Sequence, residues 1–263
     1  MEVCEVMFYS RGRTDRTNGF LTTAILVIVG LFYSFAGAAS AQSGALSGDL
    51  SRLSDQEIGQ RYDFIKQRLD EGQLNSQIWQ YGFTSGWGVG VVIGVTQASL
   101  ASDKVTMTSG IVTSVKAAGG VARLLLSPNP GRHGSEDLQM LPAASSADRL
   151  RRLASAEALL SEVEDRAIDR TNWKRHAGNV AVNLVGASVI LGVGGGSNDS
   201  VESALVSAGV GIVAGEIMAF TMPSRGIKDV KDYRRNFSGR PSEPEMSWRI
   251  SPAGMGLALN VTF

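Results

Sequence analysis

Residues 79–98 read WQYGFTSGWGVGVVIGVTQA. Gly82, Gly86, Gly90 and Gly94 fall four apart, and Ala98 continues the row. Residues four apart on a helix lie nearly above one another, so this row makes a smooth stripe with almost no side chain. Val and Ile are frequent, which keeps a buried strand as the alternative. The spacing of four persists through three segments of the chain and strict alternation does not, which predicts helix. Each glycine weakens a solvated helix by roughly 1 kcal/mol relative to Ala. Close approach of a neighbouring helix is the usual compensation, in lipid above all.

The pattern occurs twice. An apolar, glycine-rich stretch begins at Trp79 and stops at Pro128, and another begins at Trp173 and stops at Pro223. The row Thr106, Gly110, Ser114, Ala118, Ala122 repeats the device, as does Ser203, Ser207, Gly211, Gly215, Ala219. An amphipathic segment precedes each stretch. The first starts at Ser54-Asp55-Gln56-Glu57, with a cap and a glutamate three residues on, and is expected to end near Glu71-Gly72. The second starts at Ser146-Ala147-Asp148, with Leu150, Leu153, Ala156, Leu159, Leu160 and Val163 on one face. The predicted fold is therefore all-α. It has two tandem repeats, each an amphipathic helix plus a glycine-rich helical hairpin, forming a six-helix bundle. Trp79 and Trp173 would anchor equivalent helix starts, in the core or at a lipid interface. Gly82, Gly86, Gly90, Gly94, Gly211 and Gly215 would be the close-packing positions.

The rows from Gly82 to Ala98 and from Ser203 to Ala219 resemble those of the glycine-zipper two-helix proteins of the bacterial cell envelope. The resemblance covers only the apolar segments. It implies envelope location and a structural role, and no chemistry. This chain has two such hairpins where those proteins usually carry one, and no lipidated cysteine follows its leader.

The flanking sequence completes the division of the chain. Residues 1–41 read as a secretory signal peptide, with Arg11, Arg13 and Arg16, an apolar centre from Phe20 to Phe35, and Ala39-Ser40-Ala41 as the cleavage site. An uncleaved anchor is the alternative. The single cysteine, Cys4, lies in that leader, which leaves no disulfide or thiol chemistry downstream. Residues 42–128 form the first repeat, 129–145 a linker rich in turn formers, and 146–223 the second repeat. Residues 224–263 hold a short charged helix around Lys228 to Arg235, a linker, and an alternating end. There Met255, Leu257, Leu259, Val261 and Phe263 predict a strand, with Trp248 and Ile250 in its hairpin partner.

Charge is balanced, with 25 basic and 25 acidic residues, so no net field favours nucleic acid. No phosphate-binding glycine loop, nucleophile elbow or metal-ligand spacing occurs, so the chain is expected to be no enzyme and to hold no metal or cofactor. His176, Asn179 and Asn183 share one helix face inside an apolar segment. With Lys116 and Glu216 they form the candidate binding residues, and an interhelical hydrogen-bond set is the plainer reading. Glu216 is expected to pair with Lys116 or Arg123.

Uncharged stretches longer than the roughly 20 residues of a spanning helix favour a membrane. Lys116, Arg123 and Glu216 within the segments argue for a compact soluble bundle, and both readings stay open. The expected role is that of an exported, membrane-associated cell-envelope protein with a structural or interaction function. Its partners would be membrane lipid, an envelope protein or a second copy of the chain. The alternative is a small-molecule or lipid binder using a cleft between the repeats, with His176, Asn183 or Glu216 as polar contacts.

Overall fold

The computed structural model describes residue 46, residues 50–237 and the backbone of residues 247–253 and 256–262. The expected leader, residues 1–41, lies outside the described residues, as do Met255, Phe263 and all of the expected linker 237–244 except Phe237, which ends the last helix. Six helices follow one another: α1 (Asp55–Leu100), α2 (Lys104–Leu126), α3 (Ser146–Asp169), α4 (Trp173–Gly194), α5 (Asn198–Phe220) and α6 (Arg225–Phe237).

The caps are local and legible. Ser54 accepts a hydrogen bond from the Glu57 amide, Asp103 from Thr106, Asn172 from Lys174 and Ser197 from Ser200. Ser145, one residue before the expected cap, forms a full capping box with Asp148. Gly195 closes α4 in the left-handed region at φ 62°, where a Cβ would clash with the chain.

The count of six matches the expectation, but the pieces differ. α1 does not end at Glu71-Gly72; it runs 46 residues and unites the first amphipathic segment with the first apolar one. Gly72 stays in helical geometry, and a Cβ there would lie 3.9 Å from Cδ of Arg225. A lone helical glycine costs about 1 kcal/mol and does not break a helix that both flanks support by packing. The second unit is broken between α3 and α4, where the first is continuous. The sixth helix is instead α6, assigned from sequence to the tail region.

The helices sort into two levels. In the base, the first part of α1 packs with α3 and α6 around Ile65, Leu69, Leu153, Leu160, Val230 and Tyr233. Above it stand the rest of α1, α2, α4 and α5. Gly94 and Gly110 form the α1–α2 seam: a Cβ on Gly94 would come within 2.6 Å of the Ser114 amide, and one on Gly110 within 2.5 Å of the Ala98 amide. α2, α4 and α5 meet at Val112, Val189, Ile190, Ala204 and Ala208. The segment read as a linker is pinned to α1. The Asn129 amide donates to Oε1 of Gln80 at 2.9 Å, and the Ser135 amide to Oδ1 of Asp70 at 2.9 Å.

At the end of the chain, the backbone of β1 (Ser247–Ala253) runs antiparallel to that of β2 (Gly256–Thr262), with Ile250 opposite Leu259. Their side chains lie outside the described residues, so how this end packs belongs with the proposals below.

Candidate functional site

The five residues singled out from sequence meet in one network inside the upper bundle. His176, Asn179 and Asn183 lie one turn apart on α4 and face α5. The His176 ring nitrogen Nδ1 and Oε2 of Glu216 are 2.6 Å apart. Nδ2 of Asn179 donates to Oε1 of Glu216 at 2.9 Å and to the Ile212 carbonyl at 2.9 Å. Nδ2 of Asn183 donates to the Asn179 carbonyl at 2.9 Å. Nζ of Lys116, from α2, donates to Oδ1 of Asn183 at 3.0 Å and to the carbonyl and hydroxyl of Ser207 at 2.9 and 3.0 Å. An ammonium has three donors, and these three acceptors use them all.

The expected partner of Glu216 is thus corrected: it binds His176 and Asn179, while Lys116 is held by neutral oxygens. His176 sits at the first turn of α4, beside Glu216 near the end of α5, and only a facing pair at those ends can close. Gly211 and Gly215 make room for the network, because a Cβ on either would collide with Asn183 or Asn179. Their small size serves side-chain amides instead of backbone contact.

Above Lys116 the interior holds Val105, Val112, Val189 and Ile190 together with the buried hydroxyl residues Thr108, Ser109 and Ser200. The charged and amide part of the row runs from the lower end to mid-height and joins α2, α4 and α5. Buried polar groups with every partner in place hold helices in one register.

The glycine row of α1 divides. Gly90 and Gly94 pack against α2, and a Cβ on Gly90 would lie 3.1 Å from that of Ala117. Gly82 and Gly86 face open space. They are not packing positions, which corrects the expectation for half the row. They line a groove of about 1080 Å³ bounded by α1, the second half of α3 and residues 220–229. This cleft does not contain His176, Asn183 or Glu216, so the polar contacts expected for a cleft lie elsewhere.

The tryptophans also part company. Trp79 is 7% exposed, and its indole donates to the Met218 carbonyl at 3.1 Å. Trp173 is 71% exposed. One anchors the core between the two levels, while the other sits on the outer face at the lower edge of the apolar bundle. Sequence spacing cannot separate them, because each opens an apolar segment after a polar one.

Beside Trp79, Arg123, Arg166 and Arg175 converge. Arg166 donates to Oγ of Ser127 at 2.7 Å, and Arg175 to Asp169 at 3.3 Å. Sequence reasoning passed over Arg166 and Arg175 because they lie on different segments. No group of three His, Cys, Asp or Glu side chains able to hold a metal occurs among the described residues. Comparison with protein-family models, curated proteins and solved structures found no match.

Proposed function

We propose that the protein is an exported component of a bacterial cell envelope, embedded in a membrane through its upper bundle, with a structural or interaction role and no catalysis. The observation that carries this reading is the outer face of that bundle. Val92, Leu100, Leu126, Leu184, Leu205 and Val210 are all exposed, on four helices, while Lys116, Asn183 and Ser207 meet inside. Soluble proteins rarely expose contiguous apolar patches beyond a few hundred Å², and polar residues in lipid-embedded bundles face the interior.

Three helical stretches, Lys104–Leu126, Trp173–Gly194 and Asn198–Phe237, are long and apolar enough to cross a membrane. The upper part of α1 is uncharged from Gly72 onward, although its glycine, serine and glutamine content keeps it less apolar than these three. Trp173 at the lower edge suits an interfacial belt, where an indole has one apolar and one wet side. On this reading the polar row locks α2, α4 and α5 together where apolar burial offers no drive between helices. The leader, the tandem origin of the two apolar stretches and a packed terminal hairpin belong to the same proposal.

Fractionation of cells expressing the full chain, followed by an alkaline carbonate wash, tests it. Retention in the pellet until detergent is added is expected. Release into a soluble fraction would return the bundle to the compact soluble reading.

A further inference from the structure

We infer that the groove beside α1 is a binding site for one anionic membrane lipid, its acyl chain lying along Gly82 and Gly86 and its headgroup held by Arg166, Arg170 and Lys228. This rests on the membrane reading for the source of the lipid and on separate observations for the site.

The groove changes character along its length. Its upper walls are Ile78, Gly82, Phe83, Gly86 and Phe220, with no charge. Gly82 and Gly86 face no neighbouring atom within Cβ reach, although their row continues into the closely packed Gly90 and Gly94. A glycine stripe left open beside a sealed one leaves an acyl-sized channel on a helix that is otherwise exposed to lipid. At about 1080 Å³ the groove is slightly larger than the usual range of ligand sites, roughly 300–1,000 Å³.

The lower end is basic. Arg68, Arg166, Arg170, Arg225 and Lys228 line it against the single carboxylate Asp229. Arg68 and Arg225 are neutralised by Asp229, Asp232 and Glu71. Among the described residues, Arg166, Arg170 and Lys228 form no ion pair with a carboxylate. Arg166 is held by hydrogen bonds to Ser127 and Pro128, and so is oriented without being neutralised. Ser224 and Arg225, at the start of α6, also line this end, where the helix dipole adds partial positive charge.

Apolar walls above and surplus cations below match a phospholipid with a negative headgroup. Zwitterionic lipids would satisfy the walls but carry a cation into the basic end. The opposite end of the bundle carries Asp103, Lys104, Asp199 and Glu202, so this charge preference is confined to the edge that meets the base.

The test uses the full chain purified in detergent, incubated with dioleoyl phosphatidylglycerol or dioleoyl phosphatidylcholine and examined by native mass spectrometry. The expected result is one retained phosphatidylglycerol, preferred about 30-fold over phosphatidylcholine, the contribution expected of two near-surface cations. The Arg170→Gln/Lys228→Gln variant, altered only at rim positions, should lose that preference and keep its melting temperature. Gly82→Leu/Gly86→Leu, which fills the open stripe, should lose both lipids.

Equal retention of the two lipids, a preference that survives Arg170→Gln/Lys228→Gln, or displacement by inorganic phosphate alone would overturn the site. A carbonate-resistant protein with no lipid preference removes the groove and leaves the membrane reading. A carbonate-released protein that still selects phosphatidylglycerol removes the membrane reading and leaves the groove.

Discussion

In the base, Ile65, Leu153, Leu160 and Val230 are fully buried, Asp63, Arg151 and Glu162 are exposed, and the charges that are buried, Arg61, Glu157, Asp229 and Asp232, are paired or hydrogen-bonded. In the bundle above, Leu205, Val210 and Ile217 are exposed, and Lys116, Asn183 and Ser207 meet inside. The same chain thus follows two solvation rules within one helix, since α1 passes through both levels. The base is held by apolar area removed from water, at about 25 cal/mol per Å². The bundle is held by close backbone contact at glycine, by a completed polar row and by the cluster around Val112, Val189 and Ile190; in the proposed membrane setting the first two carry more of the association, because lipid is as apolar as the cluster.

The largest test of that contrast is a pair of leucine truncations. Leu153→Ala should destabilise the protein by about 2–5 kcal/mol, because it empties a fully buried site. Leu205→Ala, on the outer face, should change stability by less than about 0.5 kcal/mol. Chemical denaturation in mild detergent measures both, and a large loss at Leu205 would mean that this face is covered.

Next come the glycines. Gly94→Ala should cost about 1–3 kcal/mol, since its Cβ meets the backbone of α2 and nothing flexible can yield. Gly86→Ala should gain up to about 1 kcal/mol from helix propensity alone. Equal effects, read as shifts in melting temperature, would show that the stripe is uniform.

The tryptophans should differ by less. Trp79→Phe removes a buried donor to the Met218 carbonyl and should cost about 1–2 kcal/mol. Trp173→Phe should leave the melting temperature unchanged. Brominated lipid should quench Trp173 far more than Trp79, and the reverse order would place Trp173 away from the bilayer.

The smallest effect is a pH dependence of the base. Burial acts to raise the Asp70 carboxyl, but hydrogen bonds from Ser135 and Lys66 outweigh it and hold the group below its ordinary value. A depressed carboxylate contributes stability above its unfolded pKa, and that contribution is lost as pH falls through the folded value. Acid should therefore loosen the pinned segment 129–135 against α1 before it affects the α1–α2 seam. Asp70→Asn should flatten the acid limb of a stability-against-pH curve by about 1 kcal/mol or less; an unchanged limb would assign the acid sensitivity to another group.

The cap at Ser54, the amphipathic faces of α1 and α3, and the i, i+3, i+7 row on α4 could be read from spacing along the chain, because each depends on neighbours within one or two turns. The cap of α3 was legible to within one residue, and the α4 row already pointed to contact between helices. Which partners Lys116 and Glu216 take was not legible, because those partners lie on other helices. The fusion of the first two predicted helices was not legible, because Gly72 reads as a helix end until one sees what packs on either side of it.

Sequence by itself did not determine the burial of Arg61, Glu157 and Asp229. It determined that the chain is helical, that its apolar segments carry small-residue rows, and that His176, Asn179 and Asn183 share one helix face. Those are properties of periodicity, and periodicity survives without a partner. Only the tertiary structure decided which rows are filled. Gly94 and Gly82 are equivalent along the chain, yet one touches backbone and the other faces a groove. Trp79 and Trp173 likewise begin matching segments, yet one is buried and the other exposed. Identical local patterns acquire different environments because packing depends on what the distant helices present, and that information does not lie within any single stretch.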